Sequence, residues 1–423
     1  MSERITGRIR VQATLAHRAP DRVPVDFGAT NVTGIHVSVV AALRRHYGLE
    51  DGPVKVVELV AMLGEVAEDL QQAMGIDTAG VRGRMVRFGF PAADWKPWRM
   101  DDGLEVLVPG RFNVTVDDNG DTLMHPEGDL AAPPSARMPK GGYFFDSIVR
   151  QEPFTEESLR PEENLEEYGP IAEEDLAHWE RAARQAAASG RAVVAGFGGT
   201  SFGDIALVPG VGLKRPKGIR DVEEWYVSTR SRREFVDRVF AGQCEIALAN
   251  LERIAARVGD LVDVVYICGT DFGTQASAFC SVATFRELWM PYYRRVNRWV
   301  HDHTRWKTMK HSCGAVAKFV PEFIEAGFDI LNPVQCSAAG MDPRELKSRY
   351  GDRIVFWGGG VDTQRVLPFG TPRQVREQVL ERSEILAPGG GFVFSTIHNV
   401  QAQTPVANLV AMIDAVREFN GRT

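Results

Sequence analysis

The chain has 423 residues, 44% hydrophobic and 25% charged, with a net charge of −7. That balance suits a soluble globular protein of one large or two smaller domains, and widely spread carboxylates exclude nucleic acid as the expected partner. No window approaches the roughly 18 apolar residues of a membrane span, and the opening Met1-Ser2-Glu3-Arg4 has no signal-peptide core.

The five cysteines, Cys244, Cys268, Cys280, Cys313 and Cys336, are odd in number and scattered, which argues against a disulfide framework. A cytoplasmic protein with reduced thiols is expected. In chain order, residues 21–27 read as a first strand, with helices from Val37 and from Val54 behind it. Apolar and polar positions then alternate between Met85 and His125, with turn signals such as Asp118-Asn119-Gly120-Asp121. This predicts antiparallel hairpins, inserted at about 80–150. Residues 151–188, rich in Glu and Ala, read as exposed helices.

From about residue 190, short apolar runs alternate with longer amphipathic segments. Strands are predicted at 192–197, 262–268, 308–311, 328–332, 353–358 and 391–395. Helices are predicted at 232–256, 283–303, 316–326, 343–350, 372–386 and 405–419. Apolar strands joined by helices imply a parallel sheet covered on both faces. The expected fold is α/β, a (β/α)8 TIM barrel with N-terminal helices and an inserted β-hairpin region, in one domain over residues 1–423. A doubly wound open sheet is the alternative.

Barrel enzymes carry their chemistry in the loops after the strands, and five successive strand ends here are polar. They offer Asp271 and Gln275; His311 and Cys313; Asn332, Gln335 and Cys336; Asp362 and Gln364; and His398, Asn399 and Gln401. Asp362 and Asn332 also suit simple loop or cap hydrogen bonds.

The stretch Thr308-Met309-Lys310-His311-Ser312-Cys313-Gly314 is the most informative. Side chains two apart on a strand share a face, so His311 and Cys313 converge just past the strand end. Imidazole with thiolate suits zinc, and His398 is placed to be a third ligand, leaving a fourth position for chemistry. Taken alone, a His-x-Cys pair is more often a packed His and a free Cys. Gly389-Gly390-Gly391 lacks the spacing of a phosphate-cradling loop.

Four segments resemble the uroporphyrinogen decarboxylase superfamily: residues 269–275, His311-Ser312-Cys313-Gly314, residues 329–335 and residues 359–364. The opening Pro20-Asp21-Arg22-Val23-Pro24-Val25 is similar to the usual start of its members. The resemblance implies an (α/β)8 barrel in one of two branches. True decarboxylases carry an N-terminal arginine-rich segment that grips tetrapyrrole propionates, whereas this chain has Asp26-Phe27-Gly28-Ala29-Thr30-Asn31 there. Losing those arginine forks argues against a porphyrinogen.

The other branch, the cobamide-dependent methyltransferases, is implied instead. In members that serve coenzyme M, a His-x-Cys pair and a later Cys bind zinc. His311 and Cys313 match the pair, and His398 stands at the later Cys position, a departure from that pattern. A competing set similar to that of ether-cleaving members, Asp362, Glu377 and His398, has fourteen and twenty intervening residues, but Glu377 falls in mid-helix.

The expected function is therefore zinc-dependent methyl transfer between a small methylated substrate or thiol and a corrinoid carried by a separate partner protein. Asp271 is expected to orient substrate or supply a proton, with Gln275 beside it; Asp362 or Gln335 is expected to orient a histidine ligand. A homodimer is compatible with the sequence. The runner-up is a metal-free decarboxylase of a small or tetrapyrrole acid, using Asp271 and His398. A third reading is a non-catalytic binding barrel lined by the Trp-containing stretches at 94–98 and 223–226.

Overall fold

The computed structural model describes residues 5–197 and 203–422; Met1–Arg4, read above for a leader, lies outside them. Its centre is a seven-stranded parallel sheet. In sheet order the strands are Thr78–Val81, Ala192–Ala195, Val264–Cys268, Lys307–His311, Ile330–Asn332, Val355–Trp357 and Phe392–Val393. Each is hydrogen-bonded to the next along the chain, so the sheet is singly wound and the doubly wound alternative does not describe it.

Six of these strands fall on the apolar runs from residue 190 onward, and the helices Pro343–Tyr350 and Pro372–Leu386 match their predicted spans. The predicted helix at 283–303 is two, Val282–Leu288 and Met290–His303, separated just before Pro291. Proline lacks the N–H that would continue the first helix's ladder.

The period-2 alternation sorts the side chains into two layers. Ala192, Val194, Val264, Met309, Ile330, Val355, Trp357 and Val393 form an inner cluster, capped at one end by Val11 and Leu15 of the helix Gly7–Leu15. Their sequence neighbours Val193, Val265, Leu331 and Phe356 face outward into the larger core shared with the helices. His311 therefore points inward with Met309, and Lys310 outward. The outward ammonium lies among the rings of Phe272, Tyr293 and Phe323, 5.1–5.8 Å from their centroids.

The predicted first strand at 21–27 is a single bridge, Val25 to Phe394. This segment is nonetheless bonded on both sides. Phe394 N–H donates to Pro24 C=O (2.8 Å) and Asp26 N–H to Phe394 C=O (2.9 Å), while Asp77 N–H donates to Val25 C=O (2.8 Å).

The expected helix from Val54 is instead a strand, Val54–Glu58, in a four-stranded sheet with Leu63–Gly64, Glu105–Val108 and Lys96–Arg99. Its Val-Lys-Val-Val run is β-branched and alternates buried with half-exposed positions, which suits a strand better than a helix. A second four-stranded antiparallel sheet spans Val114–Val116 to Asp146–Ser147. The hairpins predicted at 80–150 are thus present, although their sheet recruits strands that precede residue 80. Of the helices expected at 151–188, the long one is Glu173–Ala188, with a short 3-10 turn at Pro161–Leu165. Among the described residues no helix is long and apolar enough to cross a membrane.

Asp329, just before the strand Ile330–Asn332, ties the start of the His311 strand. It accepts from Thr308 N–H (2.8 Å) and Lys307 Nζ (2.9 Å) and pairs with His301 Nε2 (2.7 Å). Burial alone would raise its carboxyl, but His301 and Lys307 outweigh burial and hold it below its ordinary value. A carboxyl depressed in the fold stabilises fully above its unfolded pKa, and that contribution is lost as pH falls through the folded value. Asp329→Asn is expected to flatten the acid limb of stability below about pH 4, read by urea unfolding across pH.

Candidate functional site

The strand Lys307–His311 delivers His311 to the inner face, opposite Asn332 on the neighbouring strand. His311 Nδ1 lies 2.6 Å from Asn332 Oδ1, and Asn332 Nδ2 donates to Trp357 C=O (2.9 Å). The second bond fixes which end of the amide is which, so Nδ1 must carry the proton and His311 Nε2 presents a lone pair. That lone pair faces Cys313 Sγ at 3.4 Å. His398, after the strand Phe392–Val393, brings its ring to 5.4 Å from that of His311. One donor atom each from His311, Cys313 and His398 lie within 4.8 Å of one another. Sequence reasoning placed this trio together, and the fold does so.

Burial pushes both histidines toward the neutral form, His398 to about 4 with a further push from His311. Burial, reinforced by Asp271, raises the Cys313 thiol. Neutral imidazoles are what a metal requires, and a divalent cation is the ordinary means of ionising a buried thiol. Two imidazoles and a thiol, one imidazole already oriented by an amide, fit a zinc-type ion.

Around the trio, Asp271 Oδ1 accepts from Cys313 N–H (2.7 Å) and stands 4.0 Å from His311 Nε2. Gln335 Oε1 accepts from Gly314 N–H (2.7 Å). Gly314 has φ +88°, and a Cβ there would come within 2.3 Å of Gly273 O, so only glycine lets the two loops pack this closely. Gln275 Nε2 donates to Gln364 Oε1 at the rim.

The role expected of Asp362 or Gln335, orienting a histidine, falls in this structure to Asn332. Asp362 Oδ1 instead accepts from Gln364 and Arg365 N–H at 2.7 and 3.2 Å. Glu377 of the competing ligand set is exposed on its helix and pairs with Arg373, away from the trio. Cys336 Sγ donates to Val334 C=O and is outside the trio.

Two cavities flank the cluster. The smaller, about 250 Å³, is lined by Cys313, His398, Gln275, Gln335, Thr363 and Gln364. The larger, about 370 Å³, has Tyr266 in its wall, whose ring centroid is 6.5 Å from that of His311. Trp95 lines the larger cavity, whereas Trp98 packs on Phe112 and Trp225 is buried against Phe240. Tyr266 and Arg82, both at this larger cavity, were missed from sequence. The inward parity of Tyr266 with Val264 was the available signal.

The chain resembles known proteins in sequence and in fold. A uroporphyrinogen decarboxylase of Psychromonas ingrahamii is 30% identical over 89 residues, a match spanning 20% of this chain and 24% of that protein. A methyltransferase from Methanosarcina mazei shares the fold at a TM-score of 0.56 and 14% identity, over 98% of this chain and 99% of the other. The model of the family described as uroporphyrinogen decarboxylase (URO-D) matches residues 151–419, which hold all three donors and the six later sheet strands, and the chain belongs to that family.

Proposed function

We propose that the chain is a metal-dependent methyltransferase that moves a methyl group between a small methylated substrate or thiol and a corrinoid held by a separate protein. The observation that carries this reading is the convergence of His311, Cys313 and His398 within 4.8 Å at the inner strand ends. The absence of the N-terminal arginine-rich segment argues against a porphyrinogen, and membership of the family does not by itself fix the reaction.

Zinc held by the three side chains would supply Lewis acidity toward the heteroatom that bears or accepts the methyl group. The chain's own groups do the rest. Asn332 holds His311 in the tautomer whose Nε2 faces the cluster. Asp271 fixes the backbone of Cys313 through its Oδ1 and presents a half-exposed carboxylate to orient substrate or manage a proton. Gln335 and Gly314 hold the loop after Cys313 against the loop at Gly273, and Gln275 with Gln364 forms the rim. We also read the bonded segment at Pro24–Asp26 as the first strand position of a (β/α)8 barrel in a single domain.

The test is metal analysis of the purified full chain together with methyl transfer to added cob(I)alamin. About one zinc per chain, and activity lost on chelation and restored by zinc, are expected. A metal-free protein with full activity sinks the proposal.

A further inference from the structure

On the outward face of the sheet, one row of strand residues is apolar with a single exception. In the strand register Lys310 lies opposite Cys268 on one side and Leu331 on the other, and Leu331 lies opposite Phe356. Lys310 is wholly buried in that row, among the rings of Phe272, Tyr293 and Phe323. Lysine is almost never fully buried without a partner, and a Leu or Met would fill such a space without desolvating a polar head. What sets the lysine apart from those residues is what its Nζ bonds.

Nζ donates to two backbone carbonyls, Thr270 C=O (2.6 Å) and His311 C=O (2.5 Å). The first belongs to the peptide that leads into Asp271, and the second to the peptide that leads out of His311. A single side chain, reaching from behind the sheet, therefore clamps together the ends of the neighbouring strands Val264–Cys268 and Lys307–His311.

Two further bonds cross the same seam. Phe272 N–H donates to Ser312 Oγ (2.9 Å), and Cys313 N–H donates to Asp271 Oδ1 (2.7 Å). The second holds the Asp271 carboxylate 4.0 Å from His311 Nε2. Residues 269–272 lie in no helix or strand, so no ladder of their own fixes where that carboxylate stands.

We propose that Lys310 is a positioning residue of the site: it holds the peptide before Asp271 against the strand end of His311, and so sets where the Asp271 carboxylate stands beside the cluster. The inference rests on the reading of Asp271 as the group that orients substrate or manages a proton there. Lys310 itself faces away from the cluster and acts only through Asp271.

Amide hydrogen exchange tests this, read by NMR in the full chain isotopically labelled at cysteine. The Cys313 amide reports its bond to Asp271, and the Cys244 amide, buried in the helix Arg233–Val258, reports the fold. In Lys310→Met the Cys313 amide is expected to exchange at least about tenfold faster, as in Asp271→Ala, with Cys244 unchanged. The double variant should exchange there no faster than Asp271→Ala alone. Cys313 protection kept within about threefold in Lys310→Met overturns the proposal. So does an equal loss at Cys244, or a variant that does not fold, since the lysine would then serve the whole sheet.

Methyl transfer to added cob(I)alamin separates the two readings. A loss of about a hundredfold in Lys310→Met and in Asp271→Ala, no greater in the double variant, supports both. Faster exchange at Cys313 with transfer unimpaired sinks the role given to Asp271 and leaves the positioning standing. Impaired transfer with exchange unchanged sinks the positioning alone.

Discussion

Cys313→Ala is expected to release the bound metal and abolish methyl transfer while the protein stays folded. A closed zinc site contributes about 10–16 kcal/mol through roughly four ligands, so one thiolate accounts for about 2.5–4 kcal/mol, or roughly 70- to 900-fold in affinity. The fold should tolerate the change, because the Cys313 side chain lies at the cavity and the backbone bond to Asp271 does not involve Sγ.

Two comparisons make the result specific. Asn332→Leu keeps all three donors but frees the His311 ring, and should weaken binding by about 10–100-fold, as loss of an orienting partner does elsewhere. Asp362→Asn should leave metal content unchanged, since its carboxylate caps a turn through Gln364 and Arg365 N–H. Competition with a zinc chelator ranks the three variants. Equal losses in all three would indicate general destabilisation and remove the assignment of ligands.

Much of the site was legible because a strand's period-2 alternation is rigid. His311 and Cys313, two apart, had to share a face, and the inner cluster that holds Met309 shows that His311 points inward. The same parity applied to the adjacent strand puts Asn332 inward with Ile330 and identifies the orienting amide, which the sequence reading had set aside as a loop hydrogen bond. Asp362 was overvalued for the opposite reason. An acidic residue two to three positions before free backbone N–H groups satisfies them locally, and a list of polar strand ends cannot separate this from a side chain aimed at the cavity.

The first half of the chain was less legible. Residues 54–58 pack through pairing with residues 63–64 and 105–108, partners set by tertiary contact and not by local period.

The seam beside the single bridge at Val25 gives the largest expected stability effect. Asp77 precedes the strand Thr78–Val81; its Oδ1 accepts from Arg10 and Arg22 at 2.7 Å each, and its Oδ2 accepts from Val25 N–H at 3.0 Å. Arg10 and Asp77 are almost wholly buried, while Arg22 is about a third exposed. Burial pushes the Asp77 carboxyl upward and the two arginines oppose it, so the three charges depend on one another.

Removing one member of a buried pair costs about 3–5 kcal/mol, largely because the remaining charge stays desolvated. Arg10 keeps Asp21 as a second partner at 2.7 Å, which places Asp77→Ala near the lower end, at about 3 kcal/mol. Asp77→Asn retains an acceptor for Val25 N–H and should lose less. Urea unfolding followed by tryptophan fluorescence measures both. Because Asp77 sits at the opposite end of the sheet's strands from the His311–Cys313–His398 cluster, any zinc content of the folded protein should not change. A loss of zinc without a loss of stability would mean that the seam acts on the site directly, and not through the integrity of the sheet.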